Sequence, residues 1–132
     1  MREPVSDIDG WCLEDGEELH RQAPTTFWLP SQEERGGLQP GDYAKLVFRI
    51  GFGDPEPPVS VERMWVIVRE RVPKGYLGIL DNNPDGIEEN EELWRGIELP
   101  FAPRHVINIQ PKTESSLAII AREPKRRWAK SN

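Results

Sequence analysis

Val61-Glu62-Arg63-Met64-Trp65-Val66-Ile67-Val68-Arg69-Glu70, followed by the turn Val72-Pro73-Lys74-Gly75 and by Tyr76-Leu77-Gly78-Ile79-Leu80, is the stretch that decides the fold. Two apolar runs flank a Pro/Gly turn, which marks a β-hairpin with a loop longer than two residues. Met64, Val66 and Val68 share one face of the first run, and Trp65 and Ile67 share the other. A strand apolar on both faces is covered on both, so this hairpin is expected at the centre of a sheet. The proline-rich residues 51–60 and the N-terminal stretch are the candidates for that cover.

Immediately before it, Tyr43-Ala44-Lys45-Leu46-Val47-Phe48-Arg49-Ile50 alternates cleanly. Ala44, Leu46, Phe48 and Ile50 fall on one face, with Tyr43, Lys45, Val47 and Arg49 on the other, as in a half-buried strand. Gln39-Pro40-Gly41-Asp42 supplies the type II turn that leads in. Further upstream, Ser31 with Glu34 three residues on forms a capping box, and Gly36-Gly37 is read as the left-handed end of that short helix. Thr25-Thr26-Phe27-Trp28-Leu29, β-branched and aromatic, reads as a short strand or extended segment. Glu17 to Arg21 reads as a helical turn.

Downstream, residues 81–92 form an acidic loop with a helical turn from Ile87. Leu93–Leu99 and His105–Ile109 read as strands, and Leu117–Ala121 is too short to assign. The expected architecture is α+β: one small domain over residues 1–123, built on a twisted antiparallel sheet of about four to six strands with one or two short helices. Residues 1–24 are expected to be a loosely packed acidic segment, and residues 124–132 a flexible basic tail.

At 132 residues the chain is long enough for one core. A single cysteine, Cys12, rules out an internal disulfide framework and fits a cytoplasmic setting. No apolar run is long enough to span a membrane, and no secretory leader is visible. Residues 1–110 hold 11 basic and 21 acidic side chains, whereas residues 111–132 hold six basic and two acidic. The acidic body repels nucleic-acid phosphates, so only the tail could attract them.

Asp81-Asn82-Asn83-Pro84-Asp85-Gly86-Ile87-Glu88-Glu89-Asn90-Glu91-Glu92 matches the calcium-loop pattern, with Asp81, Asn83, Asp85 and Glu92 as ligands. The preceding segment reads as a strand where an EF-hand needs a helix, Glu88 stands where an apolar residue is usual, and Pro84 removes an inward amide. A solvated turn explains the same residues. His20, His105 and Cys12 have no paired spacing for zinc. No nucleophile elbow, P-loop or dinucleotide fingerprint is present, and no cofactor is implied.

Five tryptophans serve a lean core or a partner surface. Trp128, among Lys125, Arg126, Arg127 and Lys130, is the first candidate for a partner surface, and its cluster could instead hold the chain's own acidic N-terminal segment. Trp65, Tyr76, Trp94, Arg95 and His105 are the candidate binding residues, on the assumption that the hairpin, the acidic loop and the last strand are neighbours.

Gly41-Asp42-Tyr43-Ala44-Lys45-Leu46-Val47-Phe48, Glu62-Arg63-Met64-Trp65-Val66, Tyr76-Leu77-Gly78-Ile79-Leu80-Asp81-Asn82-Asn83-Pro84 and Pro103-Arg104-His105-Val106-Ile107 occur in that order. In this the chain resembles a bacterial family of small proteins classed as a domain of unknown function, number 2314. The resemblance covers about two-thirds of the chain. It implies a small α+β domain with an antiparallel sheet, and it implies no reaction, cofactor or catalytic residue. The expected function is a cytoplasmic, non-enzymatic domain that binds a protein or a small ligand, with no membrane and no nucleic acid. Two alternatives remain: an enzyme using His105 with Asp81 or Asp85, and calcium-dependent regulation through residues 81–92.

Overall fold

The computed structural model describes residues 2–51, 60–82 and 93–128. Its first long strand, β2, spans Tyr43–Ile50 and buries Ala44, Leu46, Phe48 and Ile50 on one face, as the alternation requires. The turn before it closes with the Asp42 amide donating to the Gln39 carbonyl at 3.0 Å, and Gly41 takes φ 99°. A side chain at Gly41 would also strike Leu117, since a Cβ there lies 2.8 Å from that residue.

β3 (Ser60–Val72) pairs antiparallel with β2 from Tyr43↔Ile67 to Ile50↔Ser60. Its second half pairs with β4 (Gly75–Leu80), from Val66↔Leu80 to Val72↔Gly75. The connecting loop is only two residues, Pro73 and Lys74, shorter than the sequence suggested. Lys74 makes the tight turn possible by adopting φ 68°. A bulge between Val68 and Glu70 drops Arg69 out of register and releases its side chain toward β5.

β5 (Glu98–Phe101) adds to β4. The other side of β2 is shared by β1 (Trp11–Leu13) along its second half and β6 (Val106–Gln110) along its first. The strand order β1-β2-β3-β4-β5, with β6 beside β2, places β3 at the middle. The chain is thus an α+β single domain on a curled, six-stranded antiparallel sheet. The inward face holds one core cluster that includes Leu46, Phe48, Met64, Val66, Leu80 and Leu99.

Four short helices flank the sheet among the described residues: α1 (Ser6–Asp9), α2 (Gly16–Gln22), α3 (Gln32–Gly36) and α4 (Glu114–Ile120). Asp15 caps α2, and Ser31 with Glu34 forms the expected capping box on α3, a device that contributes about 1 kcal/mol. Leu117–Ala121 resolves as the body and end of α4, capped by Thr113. α4 packs against β3, whose outward Ile67 is fully buried. The second face of the hairpin is therefore closed at Ile67, where α4 packs on β3, and stays open at Arg63, while residues 52–59 lie outside the described residues. None of the described helices is long and apolar enough to cross a membrane.

Several expectations are corrected. Residues 25–29 form no strand: the Thr26 and Phe27 amides both bond back to the Ala23 carbonyl, so the chain turns after α2. Gly37 ends α3 at φ −108°, not in the left-handed region, because the chain runs straight on to buried Leu38, whose amide meets the Tyr76 hydroxyl. The strand expected at Leu93–Leu99 begins only at Glu98, with Ile97 bridged to Arg126.

The ends of the described chain are not loose. Trp11 is 1% exposed and packs edge-on against Trp128, with ring centroids 6.0 Å apart. The Trp128 amide donates to Glu98 Oε1, and its indole N–H donates to the Arg2 carbonyl. Trp128 thereby links β1 at one edge of the curled sheet to β5 at the other. Trp128 itself meets the N-terminal segment and is a seam residue rather than a partner surface, whereas Arg127 of the basic cluster pairs with Glu123, Arg126 lies over Trp94, and Lys130 lies outside the described residues.

Candidate functional site

The five candidate binding residues occupy two ends of the central hairpin. Trp65 faces outward near the open end, where its backbone amide donates to Asn82 Oδ1 and its carbonyl accepts from the Asp81 amide. Arg95 reaches Asp81 at 3.1 Å in the same region, and Arg126 lies over the Trp94 ring at 5.7 Å. Tyr76 pairs with Arg71 at the turn end, six residues along β3 from Trp65 and so about 20 Å away at strand rise. The expected single cluster is split because one β-strand length separates its members.

Tyr76 is structural. It is 2% exposed, stacks on Phe101, donates its hydroxyl proton to the Arg35 carbonyl at 2.6 Å, and accepts from the Leu38 amide. His105 is also committed. It ends a single 3₁₀ turn, Pro103–His105, and its Nδ1 accepts from the Ala102 amide at 2.9 Å. That bond puts the neutral ring's proton on Nε2, which lies 3.6 Å from a Glu3 carboxylate oxygen. Burial, and then the neighbouring Arg104 charge, push its pKa down to about 4 against the smaller opposing pull of Glu3 and Asp15.

The acid–base pairing of His105 with Asp81 is not formed, since Asp81 sits beyond the far end of β4 on Arg95. Asp85, like the calcium-loop positions Asn83 and Glu92, lies outside the described residues. Of that loop's ligands only Asp81 is described, with its carboxylate on Arg95, and β4 precedes it where a calcium hand has a helix. Among the described residues no group of three His, Cys, Asp or Glu side chains converges to hold a metal.

Other buried charges are similarly occupied. Arg35 joins Glu17 of α2 at 2.7 Å to the carbonyls of Pro30 and Pro103. Glu98 takes Arg69 at 3.3 Å and the Trp128 amide, while Arg69 Nε has no hydrogen-bond partner. Burial alone would raise the Asp9 carboxyl's pKa, but two 2.8 Å bonds from Arg2 and one from the Val5 amide outweigh it and hold it below the ordinary value.

The outward face of β2 and β3 differs from all of these. Lys45 stands opposite Trp65 in register, and its ammonium lies 5.3 Å above the indole. Tyr43, two residues back on the same face, meets Trp65 edge-on at 6.2 Å. Arg63 lies one step further on that face, with its guanidinium 5.3 Å over the Phe27 ring. Trp28, beside Phe27, is 79% exposed. His20 Nδ1, 2.6 Å from the Phe27 carbonyl and therefore the donor, holds this segment from α2. Open clefts of about 220 and 350 Å³ meet at Trp28, Ile107 and Asn108. Among the described residues neither Lys45 nor Arg63 has a carboxylate partner.

Phe27, Trp28, Lys45 and Arg63 were not singled out from the sequence. Outward placement of Lys45 was legible in the alternation of β2, and Arg63 shares the parity of Trp65. Only the β2–β3 register brings the two rows together. Comparison with protein-family models, curated proteins and solved structures finds no match to this chain.

Proposed function

We propose that the chain is a non-enzymatic binding domain whose outward β2–β3 face takes an acidic, aromatic- or leucine-bearing segment of a partner protein. A cytoplasmic, bacterial setting and kinship with the domain-of-unknown-function family 2314 belong to the same proposal and rest on the sequence motifs. The observation that carries it is the row Tyr43, Trp65, Lys45, Arg63, Phe27 and Trp28, in which cations lie over rings and one indole stands in solvent. Exposed Trp, Tyr and Arg are the residue types that dominate protein interfaces. Two cations suit a segment with a few carboxylates. A nucleic-acid strand brings one phosphate per nucleotide to a chain of net charge −6 and is disfavoured.

The test is a tryptophan-fluorescence titration with a short peptide of two glutamates and one phenylalanine, run beside a single-stranded oligonucleotide. Binding of the peptide that is abolished in Trp28→Ala and in a Lys45→Glu, Arg63→Glu double variant supports the proposal. Preference for the oligonucleotide, or equal peptide binding by the variants, overturns it.

A further inference from the structure

A cavity of about 470 Å³ lies at the opposite end of the hairpin, away from the outward row just described. The β3–β4 turn, the end of β5, and Arg2 and Glu3 enclose it. Its apolar wall comes from Val72, Pro73, Pro100 and Phe101. Its polar lining is three cations, Arg2, Lys74 and Arg104, against one acid, Glu3.

Two of those cations are engaged: Arg2 with Asp9, and Arg104 with Glu3 and, at 3.5 Å, with Asp15. Lys74 has no acidic partner among the described residues. It is also the one described non-glycine residue at positive φ, a conformation that glycine or asparagine adopts at lower cost. The next residue must be glycine, because a Cβ at Gly75 would fall 2.4 Å from the Phe101 carbonyl oxygen. Lysine at position 74 is thus not what the turn alone would select.

Glu3 shows what the opposite rim accommodates. One carboxylate oxygen sits on Arg104 and lies 3.6 Å from the Nε2–H of His105, yet the Glu3 side chain is 56% exposed. A chain carboxylate thus rests on the Arg104 guanidinium at the mouth of a cleft that would hold a ligand larger than itself.

We propose that this cavity binds a small organic monocarboxylate, with its anion between Lys74 and Arg104 and its apolar body against Pro100 and Phe101. Glu3 is the internal competitor for the Arg104 side of the site. A singly charged group matches the one uncommitted cation, whereas a phosphate dianion would bring surplus charge next to Glu3. The site is independent of the outward β2–β3 face, and either can fail alone.

The test is an NMR titration of the intact chain with octanoate and with benzoate, using 1-octanol and benzyl alcohol as uncharged controls and octyl phosphate as a rival anion. The carboxylates shift the amides of Lys74, Gly75 and Ala102, and the alcohols bind more weakly. Lys74→Gly keeps the turn and the melting temperature but weakens octanoate about fivefold, the upper range for one exposed charge. Glu3→Gln tightens it about threefold by removing the competitor. Alcohols that bind as well as the acids, a Lys74→Gly variant that binds unchanged, shifts confined to other residues, or tighter binding of octyl phosphate would each overturn the assignment.

Discussion

The seam that closes the sheet and the outward face of β2–β3 are made of the same residue types, and they are used in opposite ways. At the seam Trp128 is 8% exposed, packs on Trp11, carries Arg2 over its ring at 4.6 Å, and has both of its N–H groups bonded. Arg2 in turn grips the Asp9 carboxylate. On the outward face Lys45 and Arg63 also lie over rings, but no carboxylate among the described residues completes the arrangement, and Trp28 remains in solvent. A cation over an aromatic ring does not by itself distinguish structure from recognition. Burial and a bonded counter-charge do: where both are present the group holds the fold, and where both are missing it is available to a partner.

The largest expected contrast is between the two tryptophans. Trp128→Ala removes a buried indole that ties β1 to β5 and should cost about 3–5 kcal/mol in denaturant unfolding. Trp28→Ala should stay within about 0.5 kcal/mol of the parent, because its ring has little burial to lose. Comparable losses at both positions would erase the distinction.

Next in size is the pH response of His105, a second region where a group looks functional but is internally committed. Its folded pKa, about 4, lies below the ordinary histidine value of 6.5. The unfolded chain therefore binds the extra proton first as pH falls. The contribution is fully present above about pH 6.5 and is lost progressively down to about pH 4, with a total of roughly 3 kcal/mol. Unfolding followed across that window should show the slope, and His105→Gln should flatten it. An unchanged slope in the variant would assign the proton elsewhere.

Asp9→Ala at the seam comes third. It leaves the Val5 amide without its acceptor and should cost about 1–2 kcal/mol. The Asp9 carboxyl titrates below the ordinary carboxylate value, so the part of its contribution that depends on charge persists above that value and fades only at still lower pH. A smaller cost, about 1 kcal/mol from two exposed cation–π contacts, belongs to Lys45→Glu with Arg63→Glu, even though these changes should abolish peptide binding.

Local chemistry was legible in the sequence. The β2 alternation, the Gly41 turn and the Ser31–Glu34 box each depend on residues a few positions apart, and each is found as read. Features set by distant partners were not. Trp128 is buried because a curled sheet brings residues 11, 98 and 128 together, and nothing near Trp128 encodes that meeting. Trp65, Tyr76 and His105 looked like one cluster until the β3–β4 register separated them, and His105 proved to serve its own turn. The outward row needed the same kind of information, since Lys45 and Trp65 are neighbours only across the β2–β3 ladder.

The most direct test is the affinity of the two-glutamate, one-phenylalanine peptide for the parent and for the Lys45→Glu, Arg63→Glu double variant, with melting temperatures recorded for both. Saturable binding to the parent and none to the variant, with both folded at the assay temperature, is the result expected if the outward face is the recognition surface. Equal binding by the two proteins, or binding lost only together with the fold, would contradict it.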